Sequence, residues 1–237
     1  TYRAFEIIVI DDGSTDNTGE VAARYSGIRY IRQENQGLAR VRSRGVRESR
    51  GDYLVFLDHD DRLFPNALEI GVNSLDAHPD CAFTFGICKL ITADGLPLQS
   101  SDSSILETPF ETFNYQSLLR GRCLVPPATV MFRRSAFSSI GEFDAALAPV
   151  DDYDMYLRQA RAFSIYCHNQ VVAEYRQHPN SLTATGKPSR LLDLNLKALD
   201  KQWNSIKGNR DYEEAYQSGK KHFCNLFGPY LAYEVVA

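Results

Sequence analysis

The 237-residue sequence has no long apolar run, no cysteines at metal-binding spacing and no strong charge of either sign. Its longest weakly polar stretch, residues 81–93, is too short to span a bilayer and contains Lys89. Cys81, Cys88, Cys123, Cys167 and Cys224 are odd in number and scattered. Without a Cys-x-x-Cys they indicate neither a zinc knuckle nor a disulfide framework, and free thiols in a reducing cytosol are expected. A formal net charge of −4 gives no overall attraction to nucleic acid or an anionic membrane, so any anion must be held by a local basic cluster. A Gly-x-x-x-x-Gly-Lys-Ser/Thr loop is missing, which removes a P-loop nucleotidase. Repeats and low-complexity tracts are absent. The first residues, TYRAFEIIVIDD, run almost directly into a strand, without the basic-then-apolar pattern of a signal peptide.

What is present suits a globular domain: 43% hydrophobic and 24% charged residues. Apolar, β-branched residues 6–10 predict a buried strand, and DDGSTDNT then supplies turn and N-cap residues before a helix over 17–25. A short strand over 28–32 and a helix over 37–49, closed by Gly51, follow. Residues 53–57 are wholly apolar and predict a central strand. Pro65 suits the first turn of a helix through residue 77. Strand and helix alternate, which predicts an α/β layer with a mainly parallel sheet flanked by helices. Further on, 82–91 and 129–132 read as strands, 93–95 as a turn, and 110–119 and 152–163 as helices. Beyond residue 189 the chain is amphipathic and helical. The expected division is a domain over 1–188 and a helical C-terminal appendage over 189–237.

Three groups of acids lie at or near predicted strand ends or a helix start: Asp11-Asp12, Asp58/Asp60/Asp61 and Asp151/Asp152/Asp154. In an open parallel sheet, ligands bind outside the carboxyl ends of the strands. Asp11-Asp12 alone reads as a turn and helix cap rather than as a ligand site. The stretch YLVFLDHDD is harder to dismiss. Three acids within four positions repel one another and resist burial, so a divalent ion, a basic partner or water must balance them. Between these groups lie Arg40, Arg42, Arg44, Arg47 and Arg50. Arg40, Arg44 and Arg47 share a helical face that reads as solvated, whereas Arg42 points elsewhere. One or two of these arginines match the oxygens of a diphosphate.

The ordered stretches EIIVIDDGSTDNT, NQGLARVRSRGVRESRGDYLVFLDHDD and GEFDAALAPVDDYDMYLR resemble the successive motifs of family 2 glycosyltransferases with the GT-A fold, over residues 5–181. The resemblance implies an inverting transfer of a sugar from a nucleotide-diphosphate donor, expected to be UDP-linked, to a saccharide or lipid-linked acceptor in bacterial polysaccharide assembly. It puts Asp11 and Asp12 toward the base and ribose, with Arg42 near the nucleotide. Asp58 and Asp60 form the Asp-x-Asp motif, Asp58 toward the ribose or sugar and Asp60 as ligand of Mg2+ or Mn2+. His178, in Tyr-Arg-x-His-Pro, is implied as a second metal ligand. Asp152 is implied as the general base, with Asp151 on the acceptor side. His59 is the variable middle position, and Asp61 shapes the following turn. No nucleic acid partner is implied. The expected location is the cytoplasm, at the inner face of the membrane, and the C-terminal helices offer a surface for a homodimer or a membrane contact.

The sequence departs from the family pattern in three places. Asp151 stands for a glutamate, and Ser43 for an asparagine after the arginine. Family members also begin with a strand and helix ahead of the 6–10 strand, so a sheet short of one central strand is expected. Two other functions fit part of the pattern. A non-binding scaffold follows from that missing strand. A nucleotidyltransferase shares the acids and metal but wants a Gly-rich basic loop near its N-terminus, which is absent.

Overall fold

A computed structural model describes residues 1–98, 113–122 and 126–234. In chain order the elements are β1 (Ile7–Asp11), α1 (Thr18–Ala22), β2 (Ile28–Arg32), α2 (Leu38–Glu48), β3 (Tyr53–Val55), β4 (Arg62–Leu63), α3 (Ala67–Ala77), β5 (Cys81–Ile91) and α4 (Tyr115–Leu119). They continue as β6 (Val130–Arg133), α5 (Arg134–Ile140), α6 (Asp151–Ala162), β7 (Ser164–Arg176), α7 (Leu182–Thr185), α8 (Pro188–Asp200), α9 (Trp203–Ile206) and α10 (Arg210–Glu234).

The α/β class holds, with a correction to the sheet. β1 and β2 pair in parallel as a separate two-stranded sheet. The other five strands run in the order β3-β6-β5-β7-β4. Only β5 and β7 are parallel there; β3 with β6, β5 with β6 and β4 with β7 are antiparallel. The sheet is therefore mixed rather than mainly parallel. Alternation of strand and helix predicts parallel neighbours only if consecutive strands pair, and here β5 takes its partners from far along the chain. β7, thirteen residues long, had no sequence-based prediction; its Ser-Ile-Tyr-Cys and Val-Val-Ala stretches carry the β-forming signal.

β3 lies at one end of the large sheet, not at its centre. Its apolar run has another cause. Leu54 is buried in the main core with Phe56 packed beside it, whereas Tyr53 and Val55 pack on the opposite face against Leu75, Cys81 and Met131. Alternate residues of a strand serve opposite faces, so a strand covered on both reads as continuously apolar.

Aromatic rings fill the main core. Phe56 meets Phe143 edge-on at 5.1 Å, and Phe132 stacks on Tyr156 at 5.9 Å. The helices beyond residue 189 belong to this same core: Leu191, Leu194, Ala198, Leu199, Ile206, Ala215, Tyr216 and Phe223 are all buried in it. An amphipathic face needs an apolar partner, and α4 and α6 provide one. The approach of α10 to α4 is close, for a Cβ added at Gly219 would lie 2.0 Å from the Leu119 carbonyl oxygen. Among the described residues no helix is long and apolar enough to cross a membrane. The expected helix over 110–119 is found from Tyr115, capped by the Asn114 side chain, while its residues 110–112 and Cys123 lie outside the described residues.

Candidate active site

The acids at the end of β1 are fully engaged. Asp11 accepts hydrogen bonds from the Ser14 N–H at 2.7 Å and from the Tyr30 hydroxyl. The Ser14 side chain first, then the Tyr30 hydroxyl and the Ser14 N–H, hold its carboxyl down at about 2. Asp12 reaches across the chain. One oxygen accepts from Gln33 Nε2 at 2.7 Å and the Gln36 N–H at 2.9 Å, the other from the Gly37 N–H at 2.7 Å. It thus satisfies free donors at the start of α2, where Gly37 adopts φ 84°. Asp12 fixes the angle at which α2 leaves the loop.

That helix delivers Arg42, the arginine its spacing set apart. Arg42 is only 5% exposed and bridges two distant acids. Its NH1 donates to Asp151 Oδ2 at 3.0 Å, and its NH2 to both oxygens of Asp58 at 3.2 Å. Burial works against the guanidinium's charge, but Asp151, Asp152 and Asp58 more than offset it and hold the pKa above its ordinary value. Buried Nε has no partner among the described residues. With its NH groups committed to carboxylates, Arg42 is an internal tie. Its neighbour Ser43 is a second one, donating to the Ala39 carbonyl and accepting from the Phe143 N–H at 3.1 Å.

The acids of the 58–61 turn each find a different partner. Asp58 pairs with Arg42; Asp60 Oδ2 lies 2.9 Å from His178 Nε2; Asp61 Oδ1 accepts the Arg176 N–H at 3.0 Å. One counter-charge that YLVFLDHDD demands is therefore supplied from within the chain, by the Arg42 guanidinium that Asp58 shares with Asp151. Asp61 is 8% exposed and its Oδ2 has no partner among the described residues. Burial raises its carboxyl to about 6, helped by Asp60 and Asp58 and opposed by the Arg176 N–H.

Asp151 and Asp152 open α6, where the free N–H groups of the first turn favour negative charge. Asp151 is fully buried, with one oxygen on Arg42 and the other without a partner among the described residues. Burial raises its pKa and Arg42 opposes the rise. Asp152 is partly exposed, and one of its oxygens accepts the N–H of adjacent Tyr153 at 2.7 Å. Burial raises its carboxyl to about 6; Arg42 opposes this and Asp151 adds to it. Asp154, the third acid, is fully buried and pairs with Arg158 and Lys201. Through Lys201 it fastens α6 to the end of α8.

The structure therefore brings Asp58, Arg42, Asp151 and Asp152 together, and Asp60 with His178 in the same turn region. Among the described residues no bond joins Asp11 or Asp12 directly to that group. Two participants escaped sequence reading. Tyr30 holds Asp11 from β2. Arg176 donates its Nε to the Asp60 carbonyl at 2.7 Å, and its place in Tyr-Arg-x-His-Pro was the available signal.

Asp60 and His178 bring a carboxylate oxygen and an imidazole nitrogen to one point, a donor pair that suits a divalent ion. No group of three such side chains gathers among the described residues.

A helix-flanked mixed sheet carrying acids at a strand end and at a facing helix start is the GT-A architecture. The chain belongs to glycosyl transferase family 2, whose sequence profile matches residues 1–141. An uncharacterized glycosyltransferase of Rickettsia felis is 32% identical over 75% of this chain and 30% of its own length. A second, RT0329 of Rickettsia typhi, is 30% identical over 78% of this chain and 58% of its own. The chain thus spans between 30% and 58% of the length of these relatives. TuaG of Bacillus subtilis, named for teichuronic acid biosynthesis, is 28% identical over 78% of the chain and 72% of its own length. Among solved structures, S. aureus TarS 1–349 in complex with UDP-GlcNAc superposes with a TM-score of 0.70 at 15% identity, covering 91% of this chain and 62% of that one. The mannosyltransferase PcManGT of Pyrobaculum calidifontis, with GDP-Man and Mn2+, gives 0.66 at 16% identity, covering 98% and 66%. At such identities the superpositions establish the fold.

Proposed function

We propose that this chain is the catalytic domain of an inverting, metal-dependent glycosyltransferase that moves a sugar from a UDP-linked donor to a hydroxyl on a saccharide or lipid-linked acceptor. One observation carries the reading. Arg42 ties Asp58 of the donor motif to Asp151, next to the partly exposed Asp152, at 3.2 and 3.0 Å. Donor and acceptor motifs that lie far apart in sequence thus meet through one buried cation.

Asp152 takes the proton of the acceptor hydroxyl as its oxygen bonds to the anomeric carbon. The bond from that carbon to the diphosphate oxygen breaks on the opposite face, the nucleoside diphosphate leaves with the electron pair, and configuration inverts. Arg42 opposes the effects of burial and Asp151, keeping Asp152 ionised near neutral pH. Asp58 faces the ribose or sugar. Asp11 and Asp12, whose oxygens are already engaged, shape the nucleotide side through the loops they hold. Asp60 and His178 would hold Mg2+ or Mn2+, which when bound offsets charge on the diphosphate. TuaG's name supports a polysaccharide setting, and the TarS and PcManGT complexes support a nucleotide-sugar donor. We place the reaction on the cytoplasmic side.

The test is donor turnover. UDP release from UDP-sugars is followed with Mn2+ and with chelator, and the product's anomeric configuration is read by NMR. Retention of configuration, or turnover indifferent to chelator, would overturn the mechanism.

A further inference from the structure

The acidic turn needs more than charge partners, because a metal-binding carboxylate must also be aimed. Residues 176–178 leave the end of β7 and interlock with two loops at once. The Arg176 N–H binds Asp61 Oδ1 at 3.0 Å, the Gln177 N–H binds the Ile91 carbonyl at 2.9 Å, and His178 meets Asp60 at 2.9 Å. The Arg176 side chain spans the same gap. Nε donates to the Asp60 carbonyl at 2.7 Å, while NH1 donates to the carbonyls of Thr92 at 3.1 Å and Ala93 at 2.7 Å.

We propose that Arg176 is a positioning residue for the donor site, locking the 58–61 turn to the 92–95 turn so that Asp60 is held opposite His178. Three features carry this. The guanidinium bonds carbonyl oxygens on both loops, and no ion pair to a carboxylate engages it among the described residues. Its backbone N–H takes up one oxygen of Asp61, the residue next to Asp60, and so ties down that end of the turn as well. The planar fork reaches all three carbonyls together, a geometry that a lysine's point charge does not reproduce. Outer partners of this kind orient metal ligands, and their loss typically weakens metal affinity by about 10–100-fold.

The inference rests on the reading of Asp60 and His178 as metal ligands, and the test separates the two. UDP is titrated calorimetrically into the wild-type chain, Arg176→Lys and Arg176→Met, each with Mn2+ and with EDTA, alongside thermal melts. Arg176→Lys is expected to weaken UDP binding in Mn2+ by about tenfold and to leave metal-free binding within about twofold. Arg176→Met is expected to lose at least as much. Unchanged affinity in Mn2+ would overturn the proposal, as would an equal loss with and without metal, the mark of general loosening. Should Arg176→Met fail to fold, Arg176→Lys, which keeps the charge and most of the stem, decides. If the wild type binds UDP no better with Mn2+ than with EDTA, the metal-ligand reading falls and this proposal with it. Wild-type metal dependence with unaffected variants removes the Arg176 role alone.

Discussion

Asp58/Asp60/Asp61 and Asp151/Asp152/Asp154 are each three acids within four positions, yet the fold treats them in opposite ways. The first group sits in a turn after β3, where successive side chains diverge. Each acid therefore meets a different element: α2 through Arg42, the segment after β7 through His178, and the end of β7 itself through the Arg176 N–H. The second group sits on the first turn of α6, where residues three apart share a face. Asp151 and Asp154 point into the protein and are fully buried, while Asp152, about a hundred degrees round the helix, stays partly exposed. A turn distributes three acids among three partners. A helix instead buries two and presents the third.

That contrast fails most visibly if Asp152 is not the presented acid. Asp152→Asn is expected to lower kcat by about 10²–10⁴-fold with the melting temperature little changed, measured by UDP release and calorimetric scanning. A rate near wild type would mean that the helix presents its acid for nothing. Asp151→Ala should act on stability instead. It leaves a 5%-exposed Arg42 with Asp58 as its one remaining ion-pair partner among the described residues, a loss of about 3–5 kcal/mol by urea unfolding, and a change under 1 kcal/mol would show the buried pair to be dispensable.

The acid limb of kcat/KM comes next. Asp152 must be ionised to accept a proton and its carboxyl is raised to about 6, so activity should fall about tenfold for each pH unit below that point. A limb centred near 4 would place the base elsewhere. Asp61 provides the smallest effect. Its folded pKa, raised from 3.8 to about 6, means that the folded state keeps a proton the unfolded chain has released. Its contribution to stability is therefore greatest at low pH and is lost as pH rises between those values, by up to about 1.4 kcal/mol per unit. Asp61→Asn, which cannot titrate, should gain stability relative to wild type across that window, and parallel melts from pH 4 to 7 would show it.

Local pattern made much of this legible. β1, β2, α2 and α6 lie within a few residues of where turn residues, caps and apolar spacing predict them, because these signals act between near neighbours. The arginine set apart by helical spacing proved to be the buried one. Sheet order was not legible. The run over 53–57 predicts burial on two faces, which residues 53–56 obtain from α3 on one side and aromatic residues on the other, while Leu57 is 48% exposed. Asp11 and Asp12 show a similar limit. Their spacing marks a turn, but the bonds to Tyr30 and Gly37 join residues 19 and 25 positions away.

By itself the sequence determined the class of fold, the family motifs and which acids lie in a turn and which at a helix start, since all of these follow from short-range geometry and residue type. Tertiary structure alone decided what each acid does. Whether a carboxylate is spent on an internal cation, left beside a histidine or kept partly open depends on which distant element packs against it. Arg42 was only one of five arginines in the sequence stretch; burial between Asp58 and Asp151 made it the joint between the two halves of the site.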